Sequence, residues 1–454
     1  MKRFFVFMLI VVFAVSMILI VISCKTTAAA TIEEVAEEAE EEEAAGEKIT
    51  IEIWDWQAGP AFDGAFEKIK PAYEETHPNI IIDRTGYNLS EWDELIKTAL
   101  QSGDLPELFG LYQGPQLWEV ADTGILYEWD EAIEADPEWK SNLGKVYGMG
   151  GTLDRNGKTV ALPYDIFYIG CWGYRNILEE MGKTEDDVKA LKTMDELADF
   201  CQELKDEGNE KWYISTGFLG QYMLRELFWT FVYQQTTPED ICIKAEFQKN
   251  GVKWTDSEFI NACSGIQAMA RMTREDVLSL DYQTDHYSIM LNQEAWGSLY
   301  DGPWATGVLI DNPDAINNVF GFYHPPVVEG AASNVWAADA AQILCMEKDN
   351  PNKDEVIEFM KWIHSEEATP FMIEQLIHPA GKFPDGWESM VEYDIYFELV
   401  DMYEASDVSP WICYTGEIET SLIDNLTQVF TGDATPEEAM AKVQAVTEAY
   451  WESQ

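Results

Sequence analysis

The chain from residue 48 to residue 450 predicts an α/β fold of more than one domain. Short apolar runs alternate with amphipathic helical segments over that whole stretch. Capping residues punctuate the helices. The length of 454 residues exceeds one average domain and predicts two or three, with 46% hydrophobic and 13% aromatic residues to build their cores.

The first strand is ITIEIW, from Ile49 to Trp54. Its period of two sets Ile49, Ile51 and Ile53 on one face and Thr50, Glu52 and Trp54 on the other. One more step would carry Asp55 into the isoleucine layer, where an unpaired carboxylate is costly. The strand is therefore expected to end at Trp54, releasing Asp55, Trp56 and Gln57 from the sheet. A helix follows from about Phe62 to Thr76, and His77-Pro78 stops it. NIIIDRT is the second strand. LSEWDELIKTALQSGD is a helix with Ser90 as its expected N-cap, an apolar stripe of Trp92, Leu95, Ile96, Ala99 and Leu100, and Gly103 as its stop. PELFGLY is the third strand.

Later helices are as clearly marked. Thr193 and Glu196 form a capping-box pattern. NKDEVIEFMKWIHS puts Val356, Phe359, Met360 and Ile363 on one face. Thr435, Pro436 and Glu438 open the last helix with cap, first position and capping-box partner.

Before residue 48 the sequence changes character. Lys2 and Arg3 precede an apolar run from Phe4 to Ile22, and VISC ends it. Residues 1–23 are expected to be a signal peptide, with a plain signal anchor as the alternative because the apolar run is also long enough to span a membrane. A cysteine after a small residue at that place resembles the lipobox of bacterial lipoproteins, with Cys24 lipidated. Residues 24–47 are dominated by Ala and Glu and are expected to form an acidic tether. The rest of the chain is expected outside the cytoplasmic membrane. The net charge of −54 argues against nucleic acid and anionic lipid surfaces as partners. Six further cysteines form no CxxC pair, and buried free thiols are expected for most of them.

Catalytic and metal signatures are missing. Five scattered histidines include no HExxH or HxH, and His77, His324 and His378, each before proline, read as turn residues. GMGGT lacks the spacing of a phosphate loop, and no GxSxG elbow occurs. No catalytic residue, metal or cofactor is expected. What recurs is aromatic residues beside small polar ones, in IWDWQAG, LYQGP, LPYDIFYIGCWGY, LYDGPW and NVWAADAAQ. Aromatic bodies can pack on the C–H faces of a saccharide while carboxamides and carboxylates pair its hydroxyls. Each aromatic taken alone is as well explained by core packing.

The order of these segments resembles the extracellular solute-binding proteins of ABC transporters, in the carbohydrate-binding group that includes maltose-binding protein. ITIEIWDWQ with FEKIKPAYEETHPNIIID looks like the opening strand, helix and strand of that family. LIKTALQSGDLPELFGLY looks like its SGDxPD segment, with Glu107 in place of the commoner Asp. VADTGILYEWDE, ALPYDIFYIGCWGYRNIL, SLYDGPWATGVL and NVWAADAAQILCMEKDNPNKDEVIEFMKWIHSEEAT follow in the family's order.

The resemblance covers residues 48 to 454. It implies a two-lobed periplasmic-binding-protein-like fold, each lobe a sheet flanked by helices, with a cleft at the hinge. Residues 48–162 and 334–380 would form lobe 1, and 163–333 and 381–454 lobe 2. It also implies a monomer that captures a carbohydrate, delivers it to permease subunits and does no chemistry on it. Carried over position by position, Asp55, Trp56, Gln57, Tyr112, Gln113, Tyr164 and Asp165 would line the cleft. So would Asp301, Trp304, Trp336 and Asp339, with Trp411 as a late aromatic. Trp336 and Asp339 stand where many members have small residues, which would narrow the pocket or add an acceptor. The acidic set Asp55, Asp165, Asp301 and Asp339 equally suits a cationic solute such as a polyamine. A secreted carbohydrate-active enzyme is the alternative from another class.

Overall fold

A computed structural model describes residues 48–57, 59–220, 222–236, 241–310, 312–409 and 416–453. The expected signal peptide, Cys24, the acidic tether, Trp411 and Cys413 lie outside the described residues. By density of contact the chain divides into two units. In the smaller, residues 72–82 pack with residues 48–50: the Ile49 amide donates to the Asn79 carbonyl (2.8 Å), and Tyr73 stacks on His77 (4.0 Å). The larger unit is residues 51–71 and 83 onward and holds every candidate site residue described below; strands β1 and β2 begin in the smaller unit and end in the larger.

That larger unit is two-lobed. One lobe is built on β1 (Ile49–Asp55), β3 (Leu108–Gly110), β11 (Ile343–Cys345) and β4 (Leu162–Pro163), adjacent in that order; β2 is Ile80–Gly86. Strands β1 and β3 are parallel, with Trp54 opposite Phe109. The helix Leu89–Ser102 covers this sheet through Trp92 and Ile96, both fully buried. The second lobe is built on β7 (Ile214–Ser215), β8 (Gly297–Asp301), β6 (Gly170–Tyr174) and β9 (Val319–Phe322). Between the two, β5 (Ile166–Tyr168), β10 (Val335–Ala340) and β12 (Asp407–Ser409) form a small sheet.

The chain changes sheet between β4 and β5, at Tyr164–Asp165, and again between β10 and β11, at Ala341–Gln342. A third segment joins them, because the Ile166 amide donates to His378 O (3.1 Å) and the Ala380 amide to Tyr164 O (2.9 Å).

Local expectations meet the structure at most caps. Gly103 ends its helix at φ 72°, the left-handed geometry glycine adopts without strain. Helix Lys353–Ile363 buries Val356, Phe359, Met360 and Ile363. Thr435 and Glu438 exchange both bonds of a capping box. Thr193 accepts from the Glu196 amide, but Glu196 reaches back to the Lys192 amide, one residue earlier. The second helix starts at Leu89 with Asn88 as N-cap, not at Ser90, and no side chain caps it. His324 and His378 lie outside helix and strand, as read, and both are buried. Burial lowers their pKa to about 4 and about 3, so both are neutral near pH 7. Five described cysteines, Cys171, Cys201, Cys242, Cys263 and Cys345, are free and buried.

Candidate functional site

β1 runs one residue beyond the expected end and includes Asp55, which is fully buried on the isoleucine face. The reason is Arg84, at the end of β2. Its Nε donates to Asp55 Oδ2 (2.7 Å) and its Nη2 to Asp55 Oδ1 (2.8 Å) and to Gln57 O (2.7 Å). The Gln57 amide and the Tyr164 hydroxyl complete the carboxylate, at 2.9 and 3.0 Å. The guanidinium lies over the Phe66 ring at 4.7 Å, and Phe62 and Phe66 flank Tyr164 edge-on. Burial, then the Asp55 charge, hold the Tyr164 phenol protonated well above its ordinary range. Asp55 and Tyr164 thus come together as the sequence expected, but their polar atoms serve each other and Arg84.

The crossing segments use three more of the expected residues. Asp165 Oδ1 accepts from the Gln342 amide (3.0 Å), and the Asp165 carbonyl from the Ala341 amide (3.0 Å). Burial raises the Asp165 pKa to about 7. Gln113 is buried and donates through Nε2 to Ala340 O and Ala341 O. Asp339 is buried and accepts from the Gly151 amide at 3.0 and 3.2 Å, pinning the GMGGT turn. That glycine-rich motif is therefore a fastening point for β10. A Cβ at Gly151 would lie 2.7 Å from Asp339 Oδ1, which is why glycine stands there.

In the second lobe β8 delivers Asp301, fully buried, to Tyr282 (2.9 Å), His286 (3.2 Å) and Ser298. His286 Nδ1 in turn meets Ser215 Oγ at 2.8 Å. Ser215, His286 and Asp301 have the order of a hydrolytic triad. All three are buried, with Ser215 only 2% exposed, so the hydroxyl is closed to a substrate. Trp304, at the start of the helix Pro303–Leu309, stays half-buried. Its indole Nε1 donates to the Tyr282 hydroxyl (2.8 Å), and its ring meets Phe167 and Tyr300 at 6.0 Å each. A Cβ on Gly302 would strike both the Trp304 ring and the Tyr168 carbonyl. Gly302→Ala is expected to lower the unfolding free energy by about 1–3 kcal/mol, the usual cost of overpacking against fixed neighbours. An unchanged urea midpoint would show that both the Trp304 ring and the Tyr168 backbone can give way.

Trp56 and Tyr112 lie just past the carboxyl ends of parallel β1 and β3, where open α/β sheets bind ligands. Both are half-buried, with ring centroids 4.9 Å apart, and Trp56 leans on the buried Trp92 at 5.8 Å. The half-buried Gln57 makes its bonds through the backbone, and its side-chain amide has no hydrogen-bond partner among the described residues. Trp336, by contrast, is fully buried, stacked on Tyr168 at 4.7 Å. Of the eleven expected residues described, Trp56, Gln57, Tyr112 and Trp304 alone are half-buried; the other seven are buried. The two lobes bring these sides together: a Cβ on Gly307, in the Trp304 helix, would sit 3.5 Å from Ala61 Cβ, in the helix that follows Gln57.

Sequence reasoning missed Arg84, Tyr282 and His286. Only Arg84 left a signal, as the one cation of the strand NIIIDRT.

No curated protein matches the sequence. Solved structures do. One, from a study of xylan utilization by the thermophilic bacterium Caldanaerobius polysaccharolyticus, superposes with TM-score 0.73 at 16% identity, over 87% of this chain and 99% of that one. A chitin oligosaccharide binding protein gives 0.71 at 18%, over 89% and 99%. A cyclic alpha-maltosyl-1,6-maltose binding protein from Arthrobacter globiformis gives 0.69 at 15%, over 90% and 100%. At such identities the likeness is one of fold. The family model for bacterial extracellular solute-binding proteins matches residues 57–370, more than half of the chain. With the two lobes and three crossings described above, the match makes this chain a member of the bacterial extracellular solute-binding protein family.

Proposed function

We propose that the protein is the lipid-anchored solute-binding component of an ABC importer. It captures a neutral carbohydrate, an oligosaccharide, between the lobes and hands it to the membrane permease. The lobes in this reading are 48–162 with 334–380 and 163–333 with 381–454, and Cys24 carries the lipid. The observation that carries the ligand class is the division between open and closed side chains. The half-buried groups, Trp56, Tyr112, Trp304 and the Gln57 amide, are aromatic faces and an uncharged hydrogen-bonding group. The four acidic residues that would attract a cation are committed elsewhere: Asp55 to Arg84, Asp301 and Asp339 to internal donors, and Asp165 toward its neutral form by burial. This favours a sugar over a polyamine. The buried Asp55, Gln113, Tyr164, Asp165, Asp301, Trp336 and Asp339 then support the site, and Trp411 remains a candidate contact. The solved relatives named for chitin oligosaccharide and cyclic maltosyl-maltose lend the same direction.

A mass spectrum of the solute that co-purifies with the protein tests the reading; a polyamine there would reject it. Trp304→Ala should weaken binding of that solute at least tenfold, about 1.4 kcal/mol, with little change in melting temperature. Unchanged affinity by calorimetry would remove Trp304 from the site.

A further inference from the structure

Tyr282 sits between the buried Asp301 and the half-buried Trp304 and has one proton to give. Its hydroxyl is 2.9 Å from Asp301 Oδ1 and 2.8 Å from Trp304 Nε1. A carboxylate only accepts and an indole N–H only donates. The phenol proton therefore goes to Asp301, and the phenol oxygen accepts the indole N–H. The carboxylate cannot turn away, because Ser298 and His286 also hold it and Ser215 holds His286. Tyr282 and His286 open and close a single π turn, Tyr282–His286, which stacks their rings at 5.0 Å and brings both to Asp301. Isolated π turns of this kind are often kept for a local task. Tyr300 and Tyr287 meet the Tyr282 ring edge-on at 5.4 and 4.9 Å, so the ring itself is confined.

We infer that Tyr282 is a positioning residue for ligand recognition: through the chain Ser215–His286–Asp301–Tyr282 it locks the Trp304 indole in one orientation. The lock consumes the indole N–H and turns it inward. Trp304 then offers a ring face and no hydrogen bond, so it selects ligands with an apolar face at that position. This rests on the proposed contact between Trp304 and a carbohydrate. Without the Tyr282 hydroxyl the indole keeps only the Tyr287 hydroxyl as an internal acceptor, and the ligand must complete its immobilisation, a cost equivalent to roughly three- to tenfold in affinity.

The test uses the protein labelled with 5-fluorotryptophan, the Trp304 line being the one lost in Trp304→Phe. Tyr282→Phe is expected to shift and broaden that line in a protein that stays folded, with a melting temperature lowered by the loss of two hydrogen bonds. Calorimetry with raffinose, xylotriose and triacetylchitotriose as probes should show affinity reduced three- to tenfold by Tyr282→Phe in the wild-type background and not at all in the Trp304→Phe background. A merely structural Tyr282 would weaken binding equally in both backgrounds, and that result, or an unmoved fluorine line, overturns the inference. Should Tyr282→Phe fail to fold, the unsubstituted protein decides. The Trp304 indole proton should exchange with D2O at least tenfold slower than that of free tryptophan, and exchange at the free rate overturns the inference. Binding of none of the three probes, or Trp304→Phe with undiminished affinity, counts against the carbohydrate contact instead, and the fluorine line still decides the positioning.

Discussion

Replacing Arg84 with methionine should cost about 3–5 kcal/mol of stability, the loss seen when one partner of a buried ion pair is removed. Its side chain is 4% exposed and that of Asp55 not at all. Methionine would fill much of the same volume against Phe62 and Phe66. It would leave the Asp55 carboxylate with the Gln57 amide and the Tyr164 hydroxyl and no counter-charge. Arg84 also fixes Gln57 O, so the turn that presents Trp56 and the Gln57 amide should loosen together with the fold. The double change Asp55→Asn with Arg84→Met should recover much of the loss, because no lone charge stays buried. Urea unfolding followed by far-UV circular dichroism measures this. A loss below about 1 kcal/mol for Arg84→Met would mean that water reaches Asp55.

The same pair marks the limit of what the sequence discloses. Alternation in ITIEIW placed Asp55 on the isoleucine face correctly, and the physical rule then said that an unpaired carboxylate cannot stay there. The partner stood 29 positions on in Arg84, and nothing local joins the two. Helices were legible because an amphipathic stripe and its caps lie within one segment, as in Lys353–Ile363 and at Thr435. Strands β5, β6 and β10 were harder. All six residues of β10 are buried, so no alternation tells which side Trp336 faces. The candidate site was legible as a composition and not as a set of roles. Asp301 and Asp339 look in sequence like acceptors for a ligand, and an acceptor for an internal donor has the same side chain. Trp304 and Trp336 both sit in small-residue contexts, yet one heads a short helix at the surface and the other stacks inside.

Asp165 should make the stability of the protein fall as pH rises from about 4 to about 7. Its pKa moves from 3.8 to about 7, with burial the main cause. The charges that face it are Asp55, which raises the value further, and Arg84, which lowers it. A raised folded-state pKa means that the folded protein holds the proton where the unfolded chain has released it. The stabilisation is complete below the unfolded value and is lost as pH passes through about 7. A shift of about 3 units corresponds to about 4 kcal/mol. Asp165→Asn keeps an oxygen to accept from the Gln342 amide and carries no charge at any pH. Wild type and variant should thus be about equally stable near pH 4, and the variant the more stable by a few kcal/mol near pH 8. Parallel pH profiles from urea unfolding would reject the shift. Asp165 lies where the chain changes sheet, bonded to Ala341 and Gln342 of the return crossing. Its ionisation therefore strains the hinge and not the aromatic contacts. The variant should lose the part of the pH dependence of stability that Asp165 contributes and keep its preference among ligands.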